Sequence, residues 1–270
     1  MNYHDKIINH LTGYKTKNFP DIPNGTYRGK SSYGYILPKN HKTKNFIETY
    51  RKDILKSNLY NPEKLHIYFH HLNSSQAMCF NFFFPLYQEH KLEVVTDFLG
   101  LKNEKVNYET VCFEKNGKDG EGGRRPTNFD FYFETLSKKK IFFEIKYTEN
   151  EFGKAKNDAG HIDKYENVYS KYLLPINTNF RSREQFFNNY QILRNIIHID
   201  KSSFVVFLYP LENKRINAGA EKAKSELLTA NFKDNFFAVT WEKLFEAVLN
   251  SVTETKLKSH LNEFEEKYLS

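Results

Sequence analysis

The sequence predicts an α/β fold in which one mixed β-sheet is flanked by helices. Three strand patterns follow one another in the middle of the chain, at about 106–115, 128–134 and 140–148. After residue 182, helical patterns alternate with a strand at 203–209 and another at 235–240. Consecutive strands followed by alternating helices and strands are typical of helices packed on the faces of one sheet.

The first 64 residues are polar, basic and rich in turn-forming residues. Six prolines and glycines between residues 20 and 38 interrupt any long element there, and a short helix is expected at about 44–55. We therefore expect residues 1–64 to form a basic N-terminal arm or subdomain. The remaining divisions are a core at 65–250 and a C-terminal helix at 251–270 that packs on the core.

The segment before the three strands is predicted to be largely helical. A short strand is expected at residues 66–69, and a helix begins after Asn73 or Ser74, either of which can cap it. This helix is apolar nearly all round, which indicates burial, and Pro85 should end or kink it. A second helix is predicted at 91–99.

The distribution of charge indicates a polyanionic partner. The net charge is +7, and residues 1–60 contain eleven Lys and Arg but four Asp and Glu, so this segment carries the whole excess (11 − 4 = 7). Lys and Arg displace counterions from phosphates, so nucleic acid is the expected partner. A solvated basic surface without a partner is the alternative.

Cysteine usage and hydropathy exclude several classes of protein. Cys79 and Cys112 stand in apolar surroundings, which favours buried free thiols, and no Cys/His spacing indicates a zinc site. The sequence shows no signal-peptide core and no apolar run of membrane-spanning length. A cytoplasmic protein without a membrane partner is expected.

The second and third strands carry the residues that indicate chemistry. Strand side chains alternate between faces, so Glu144 and Lys146 project together from a strand that otherwise belongs in a core. Asp130 lies on the opposite face of its strand from three phenylalanines. If the strands pair through the turn at Ser137, Asp130 stands near Glu144. Two carboxylates beside a core repel each other, and a divalent cation such as Mg²⁺ removes that penalty.

This pattern resembles the PD-(D/E)xK nuclease motif, in which an aspartate on one strand is followed by Glu-x-Lys on the next. Here Phe129 precedes Asp130, and Pro126 lies four residues before it, so the Pro-Asp pair is absent. The resemblance implies a restriction-endonuclease-like core with elements in the order α-β-β-β-α-β. It also implies that Asp130, Glu144 and the carbonyl of Ile145 bind Mg²⁺, for which Mn²⁺ can substitute, and that Lys146 positions a water.

A larger part of the chain, about residues 66–250, resembles poorly characterised bacterial restriction-endonuclease-like proteins. The matching segments are 71–81, the strand pair, 190–195 and the strand before Pro210. Both resemblances imply a Mg²⁺-dependent endonuclease that hydrolyses DNA, as a type II restriction enzyme or another phage-defence nuclease. Cutting both strands of a duplex favours a homodimer with two sites.

Three further residues are expected to support the site. Gln191 shares a helix face with Arg194 and Asn195, and nucleases of this superfamily often carry a glutamine on such a helix. Gln76 stands where the superfamily often has an acidic residue on its first helix. Glu109 is the alternative third acidic ligand. An ordinary polar helix face is the competing interpretation for Gln191.

Five basic residues are expected to contact DNA phosphates. They are Arg124, Arg125, Lys138, Lys139 and Arg194. Solvated loop charge is the alternative. Competing functions are a catalytically silent nucleic-acid-binding protein on the same fold and a DNA-repair or RNA nuclease. The structural alternative is a surface pair of Glu144 and Lys146 on an edge strand of an unrelated fold.

Overall fold

The computed structural model describes residues 2–120 and 125–269. By contacts between residues, the chain forms two compact units. The first contains the chain up to Asn103 together with the segment from Trp241 onward, and the second is Glu104–Thr240. These boundaries differ from the ones predicted at 64/65 and 250/251, because segments near both ends of the chain pack into the first unit.

The first unit is mainly helical and contains one small antiparallel hairpin, β1 with β2. Each long helix of this unit buries apolar residues on one side, and this burial fixes the helix within the unit. Its elements are α1 (Tyr3–Asn18), β1 (Gly25–Tyr27), β2 (Ser31–Tyr33), 3-10 turns at Lys39–Asn45 and Pro62–Lys64, α2 (Glu48–Lys56), α3 (Ser75–Gln88), α4 (Glu93–Phe98), α9 (Trp241–Ser251) and α10 (Thr255–Tyr268).

Residues 1–64 pack into this unit and do not form a detached arm. Leu11 of α1 and Tyr50 and Ile54 of α2 are fully buried. The side chain of Asn45 donates hydrogen bonds to the carbonyl groups of Phe69 and His71, at 2.7 Å each. The turn-rich segment is therefore fixed by apolar burial and by buried hydrogen bonds. Helix α1 lies before the first proline, where the sequence analysis assigned no element.

Helix α3 begins where the sequence indicated, with the hydroxyl of Ser74 accepting a hydrogen bond from Ala77 N. Of the two predicted effects of Pro85, an end or a kink, the end is excluded, because α3 continues to Gln88. Proline lacks the N–H that would bond the carbonyl four residues earlier, that of Asn81. His260 Nε2 donates to that carbonyl instead, at 2.6 Å. Residues 66–69, expected as a strand, form turns.

The second unit is built on a five-stranded sheet in the order β3-β4-β5-β6-β7. The first three strands are antiparallel, whereas β5–β6 and β6–β7 are parallel pairs. The predicted α/β fold class with a mixed central sheet is confirmed. The strands are β3 (Val106–Asn116), β4 (Asn128–Thr135), β5 (Lys140–Ile145), β6 (Ser203–Tyr209) and β7 (Phe236–Thr240).

The connections between these strands are helical, as expected. Strand β6 is buried along its whole length, which suits a strand with parallel neighbours on both sides. Asn189 interrupts the helix predicted from Ser182, so two short helices form in its place. The elements are α5 (Ala159–Asn167), α6 (Arg183–Asn188), α7 (Tyr190–Ile196), α8 (Lys214–Lys222), a π-helical turn at Ala223–Leu227 and 3-10 turns at Tyr169–Tyr172, Thr178–Phe180 and Ala230–Asn235.

Candidate active site

Asp130 and Glu144 come together where β4 begins and β5 ends. The antiparallel register pairs Phe131 with Phe143, and one further step places Asp130 opposite Glu144. The N–H of Ile145 donates to Asp130 Oδ2 at 2.6 Å, so the side chain bridges the two strands at this end. The strands pair through the turn at Ser137, as the sequence indicated.

The carboxylate of Glu144 is held by two donors on one of its oxygens. Lys146 Nζ lies 2.9 Å from Oε1, and Gln191 Nε2 donates to the same oxygen at 2.9 Å. Within the described part of the chain, Oε2 accepts no hydrogen bond. Glu144 and Lys146 are 5% and 6% exposed, so the pair is largely desolvated. This burial argues against a surface ion pair on an edge strand.

Lys146 is fixed although it follows the last residue of the strand. The predicted strand extended to residue 148, but β5 ends at Ile145. The N–H of Lys146 still donates to Leu208 O at 2.9 Å, which continues the pairing with β6. The ammonium group lies 5.5 Å from the centre of the Phe152 ring. Backbone pairing and this aromatic contact together aim the lysine at Glu144.

Gln191 connects the site to the segment after β5. Its side-chain Oε1 accepts a hydrogen bond from Gly153 N at 2.9 Å, and its backbone N–H donates to Gly153 O at 3.0 Å. With the carbonyl end of the amide occupied in this way, the NH₂ group is turned toward Glu144. The predicted role of Gln191 beside the glutamate therefore has a geometric basis.

The electrostatics of the two strand ends are unfavourable for two carboxylates. Burial, then the charges of Glu144 and Glu114, raise the pKa of Asp130 well above its ordinary value, although the N–H of Ile145 and the charge of Lys146 act against this. Burial lowers the pKa of Lys146, but the carboxylates of Glu144 and Glu149 outweigh that effect, so its pKa is raised. The lysine is thus held in its charged form.

Glu114 is the acidic neighbour that the sequence analysis missed. It lies opposite Asp130, between the pairs Phe113–Phe131 and Lys115–Phe129, and its carboxylate accepts a hydrogen bond from Asn128 Nδ2. The proposed third ligand, Glu109, is instead exposed within the irregular stretch between residues 107 and 112. Regular strand pairing, counted back from the glycine-rich loop, would have placed Glu114 opposite Asp130. The irregular pairing between residues 107 and 112, where Glu109 lies, is not visible in the sequence.

A family model described as "Restriction Endonuclease associating with ARP" matches residues 9–269. The chain belongs to this family. Membership indicates a nuclease, and the predicted resemblance to restriction-endonuclease-like proteins is confirmed at this level. Searches of curated proteins and of solved structures gave no match. In the described residues of this family member, no helix is long and apolar enough to cross a membrane.

The donor set of this family member meets part of what a metal ion requires. Among the described residues, no group of three or more His, Cys, Asp or Glu side chains is arranged to hold one. Two carboxylates and a backbone carbonyl nevertheless suit a hard cation such as Mg²⁺, which keeps several waters. Two observations favour a cation here: the raised pKa of Asp130 and the carboxylate oxygen of Glu144 that accepts no hydrogen bond from the described residues.

Gln76 lies in the first unit, where its hydrogen bonds explain its burial. Its Oε1 accepts from His66 N at 2.8 Å, and its Nε2 donates to Lys64 O at 3.1 Å. The amide therefore anchors the loop that precedes α3. A supporting role for Gln76 at the active site stays a prediction.

The basic residues expected around the site occupy different places. Arg124 lies outside the described residues. Arg125 is exposed, and its carbonyl accepts a hydrogen bond from Lys164. Lys138 and Lys139 were expected to flank the site, but they lie in the β4–β5 turn at the opposite end of the hairpin from Asp130 and Glu144. Lys139 is also paired with Glu104 at 2.9 Å.

Arg194 is the basic residue on the same helix as Gln191. Its guanidinium lies 5.6 Å from the centre of the Tyr190 ring. Its Nε is buried without a hydrogen-bond partner among the described residues. An arginine of this kind has donors left for a phosphate.

Proposed function

We propose that this chain is a Mg²⁺-dependent endonuclease that hydrolyses phosphodiester bonds of double-stranded DNA, as a type II restriction or phage-defence enzyme. The observation that carries the proposal is the meeting of Asp130, Glu144 and Lys146 at one end of the β4–β5 hairpin. Gln191 orients the glutamate. Family membership supports a nuclease.

In this proposal, Asp130, Glu144 and the carbonyl of Ile145 hold the metal ion, with Mn²⁺ able to replace Mg²⁺. When bound, the ion lowers the pKa of a coordinated water and polarises the phosphate. It also relieves the repulsion between the two carboxylates that raises the pKa of Asp130. Gln191 keeps Glu144 aimed so that its Oε2 can face the ion.

Lys146 orients the attacking water and stabilises negative charge that develops on the phosphate. Its position next to Glu144 suits both roles, because the ammonium reaches the same space as the carboxylate. Because Lys146 is buried, bulk water is excluded around its ammonium group. The interaction between that group and the negative charge that develops on the phosphate is therefore stronger. The neighbouring carboxylates keep it protonated, so it acts as a cation and not as a base.

A basic groove next to the site supports DNA as the substrate. The groove has a volume of about 310 Å³ and is lined by the 151–154 segment, α6 and α8. It contains three cations, Lys154, Arg215 and Lys222, against one acid, Glu151. A methyl group on Gly219 would lie 2.6 Å from the Phe152 ring, so glycine lets α8 approach the segment that contacts Lys146.

The positions of the groove and the site suggest a path for the DNA backbone. Arg215 follows the end of β6, which runs parallel to β5, so the groove and the catalytic carboxylates lie at the same end of the sheet. Arg194 and Arg125 are proposed as further phosphate contacts. Lys138 and Lys139 would contact only DNA that extends along the hairpin to its far end.

The proposal includes protein partners. Cleavage of both strands by one active site per chain is achieved simply by a symmetric dimer, so a homodimer on DNA is proposed. The family description also names an association with ARP, and we extend that association to this chain as part of the proposal.

The first test uses purified protein with supercoiled plasmid, a panel of phage genomic DNAs and an RNA of mixed sequence. Each is incubated with Mg²⁺, Mn²⁺ or EDTA. The Lys146→Ala variant should lose cleavage by about 100-fold or more while it keeps most of its DNA affinity, and it should unfold at a lower temperature because Glu144 loses the partner of a buried ion pair. The matched control is Lys201→Ala, which removes an exposed lysine from the turn before β6 and should cut like the wild type.

The outcomes separate the candidate functions. Discrete DNA fragments would identify a restriction enzyme, and preferential loss of the RNA would identify a ribonuclease. Full activity of Lys146→Ala would remove the mechanism. No cleavage of any substrate, together with no metal binding by calorimetry, would leave a catalytically silent nucleic-acid-binding protein.

A further inference from the structure

The side chain of Asn195 is fully buried, at 0% exposure. Neither its Oδ1 nor its Nδ2 has a hydrogen-bond partner among the described residues. Buried side-chain amides are nearly always partnered, because desolvating an unpaired polar group is unfavourable. A buried amide that the described residues leave unpaired at both ends therefore requires an explanation.

The position of Asn195 on its helix supplies one. It lies four residues after Gln191, a spacing that places both on one face of α7, and three residues before His198, which follows the end of the helix at Ile196. Gln191 reaches Glu144 from that face. The His198 ring packs on Phe129 and Phe142, with centroids 5.1 and 6.1 Å away.

Asn195 lies between these two fixed points. Gln191 contacts Glu144 and His198 packs on Phe142, and these two partners share one face of β5. The segment from Gln191 to His198 therefore runs along that strand face. Asn195, which is buried between them, lies about one helical turn from the residue that contacts Glu144.

An amide in this position can act on a molecule bound at the site. Its NH₂ group has two donors and its carbonyl oxygen can accept two hydrogen bonds. In surroundings from which bulk water is excluded, each of these bonds is stronger than in water. Because its neighbours do not use them, they are available for a small polar molecule beside the carboxylates.

We propose that Asn195 is a positioning residue whose amide hydrogen-bonds a water molecule held at Asp130 and Glu144. This inference rests on the proposed function, since the water is the one used for phosphodiester hydrolysis. Asn195 thus acts through that water and through the carboxylates. The unpaired amide lowers the stability of the fold, and this loss of stability persists because the amide contributes to catalysis.

Two variants of the full-length protein test this role, and a third is the control. Asn195→Leu removes an unpaired amide and keeps most of the volume. Asn195→Ser keeps a hydroxyl that can bond water but leaves a small cavity. The control, Asn81→Leu, replaces another fully buried asparagine, whose amide accepts from Ile47 N and donates to Asn45 O and Tyr268 Oη. Unfolding temperature, kcat and KM are measured for all three.

The inference predicts that stability and activity change in opposite directions. Asn195→Leu should unfold at the wild-type temperature or a few degrees higher, with kcat lower by about 10- to 100-fold and KM within about twofold. Asn195→Ser should be less stable than Asn195→Leu but more active. Asn81→Leu should unfold about 5 °C lower or more, because its partners are left unpaired.

Three results would overturn the inference. If Asn195→Leu loses stability as Asn81→Leu does, the amide has a structural role. If it cuts like the wild type, the amide has no role in the reaction. If the wild-type protein itself cuts no substrate, the proposed function fails and the catalytic role of Asn195 fails with it, and the wild-type assay distinguishes that case from the first two.

Discussion

A buried polar network in the first compact unit and the buried polar groups around Asp130 in the second unit differ in how far their members satisfy one another. In the first unit, Lys267 Nζ is 1% exposed and donates to the carbonyl and side-chain oxygens of Asn45, at 2.6 and 2.7 Å. Asn45 and Asn81 complete this network with further hydrogen bonds. These groups satisfy one another, so they connect segments of chain and leave their donors and acceptors occupied.

In the second unit, several buried polar groups do not satisfy one another. Asp130 faces two other carboxylates, which raise its pKa, and the amide of Asn195 is unpaired among the described residues. Such arrangements lower the stability of a fold unless a ligand compensates for them. The difference supports the proposal that the groups around Asp130, which the described residues leave unsatisfied, form the functional site.

Asp119 shows that a buried polar group can be fully satisfied in the second unit as well. Whether such a group is satisfied depends on its role and not on the unit that contains it. Asp119 is fully buried in the second unit, and its carboxylate accepts hydrogen bonds from the N–H and hydroxyl of Thr127. Burial alone would raise its pKa, but His198, Thr127 and Lys164 together hold that pKa below its usual range. Asp119 thus resembles the satisfied groups of the first unit and joins the two ends of the glycine-rich loop.

The largest expected effect comes from Asp130→Asn, with Asp119→Asn as its matched control. The amide keeps the shape and can still accept from Ile145 N, but it removes a buried negative charge next to Glu144. Cleavage should fall by about 10³-fold or more. In EDTA, Asp130→Asn should unfold at a higher temperature than the wild type, whereas Asp119→Asn should unfold at a lower one.

The addition of Mg²⁺ completes this experiment. A ligand that binds the folded state stabilises it by mass action, so Mg²⁺ should raise the unfolding temperature of the wild type more than that of Asp130→Asn. A lower unfolding temperature for Asp130→Asn in EDTA would show that the charge is satisfied within the fold, and the contrast between the units would then disappear.

A second prediction concerns pH and His260, a buried residue of the first unit. Burial is the main cause that lowers the pKa of His260 to about 4, against an ordinary value of about 6.5. The unfolded chain therefore binds the proton more tightly, so this contribution to stability is present above pH 6.5 and is lost as the pH falls toward 4. At pH 5 the loss should be about 2 kcal/mol.

Denaturant unfolding of the wild type and of His260→Gln at pH 7 and pH 5 measures this effect. The amide nitrogen of glutamine reaches about as far as His260 Nε2, so it can still donate to the Asn81 carbonyl that Pro85 leaves without its helical partner, but glutamine does not titrate. The variant should therefore lose less stability between the two pH values. Equal losses in both proteins would place the acid-sensitive group elsewhere.

The strands and the proximity of Glu144 to Lys146 were predictable because their signals are local. Alternation in β5 put Glu144 and Lys146 on one face, and the turn at Ser137 fixed the partner strand. The apolar run of β6 was predicted with its observed bounds, Ser203–Tyr209. These features depend on period and on short-range pairing, which are properties of the sequence itself.

The errors arose where distant residues decide the local structure. Helix α3 passes Pro85 because His260, far along the chain, takes over the hydrogen bond to Asn81. Glu114, not Glu109, stands opposite Asp130, because β3 and β4 shift register between residues 107 and 112. Whether Asn195 is paired could not be deduced from its neighbours in sequence, since that depends on the complete packing around α7.

The smallest expected effect tests whether the basic groove binds DNA and so belongs to the functional site. Arg215 is exposed at the groove and makes no ion pair with the described residues. If it binds a DNA phosphate, Arg215→Ala should weaken binding in EDTA by severalfold and reduce the slope of log Kd against log salt concentration by about 1. Lys201→Ala, at the other end of the sheet, should leave that slope unchanged. Equal slopes for Arg215→Ala and the wild type would mean that the DNA does not enter the groove, and that the cations there serve only solubility.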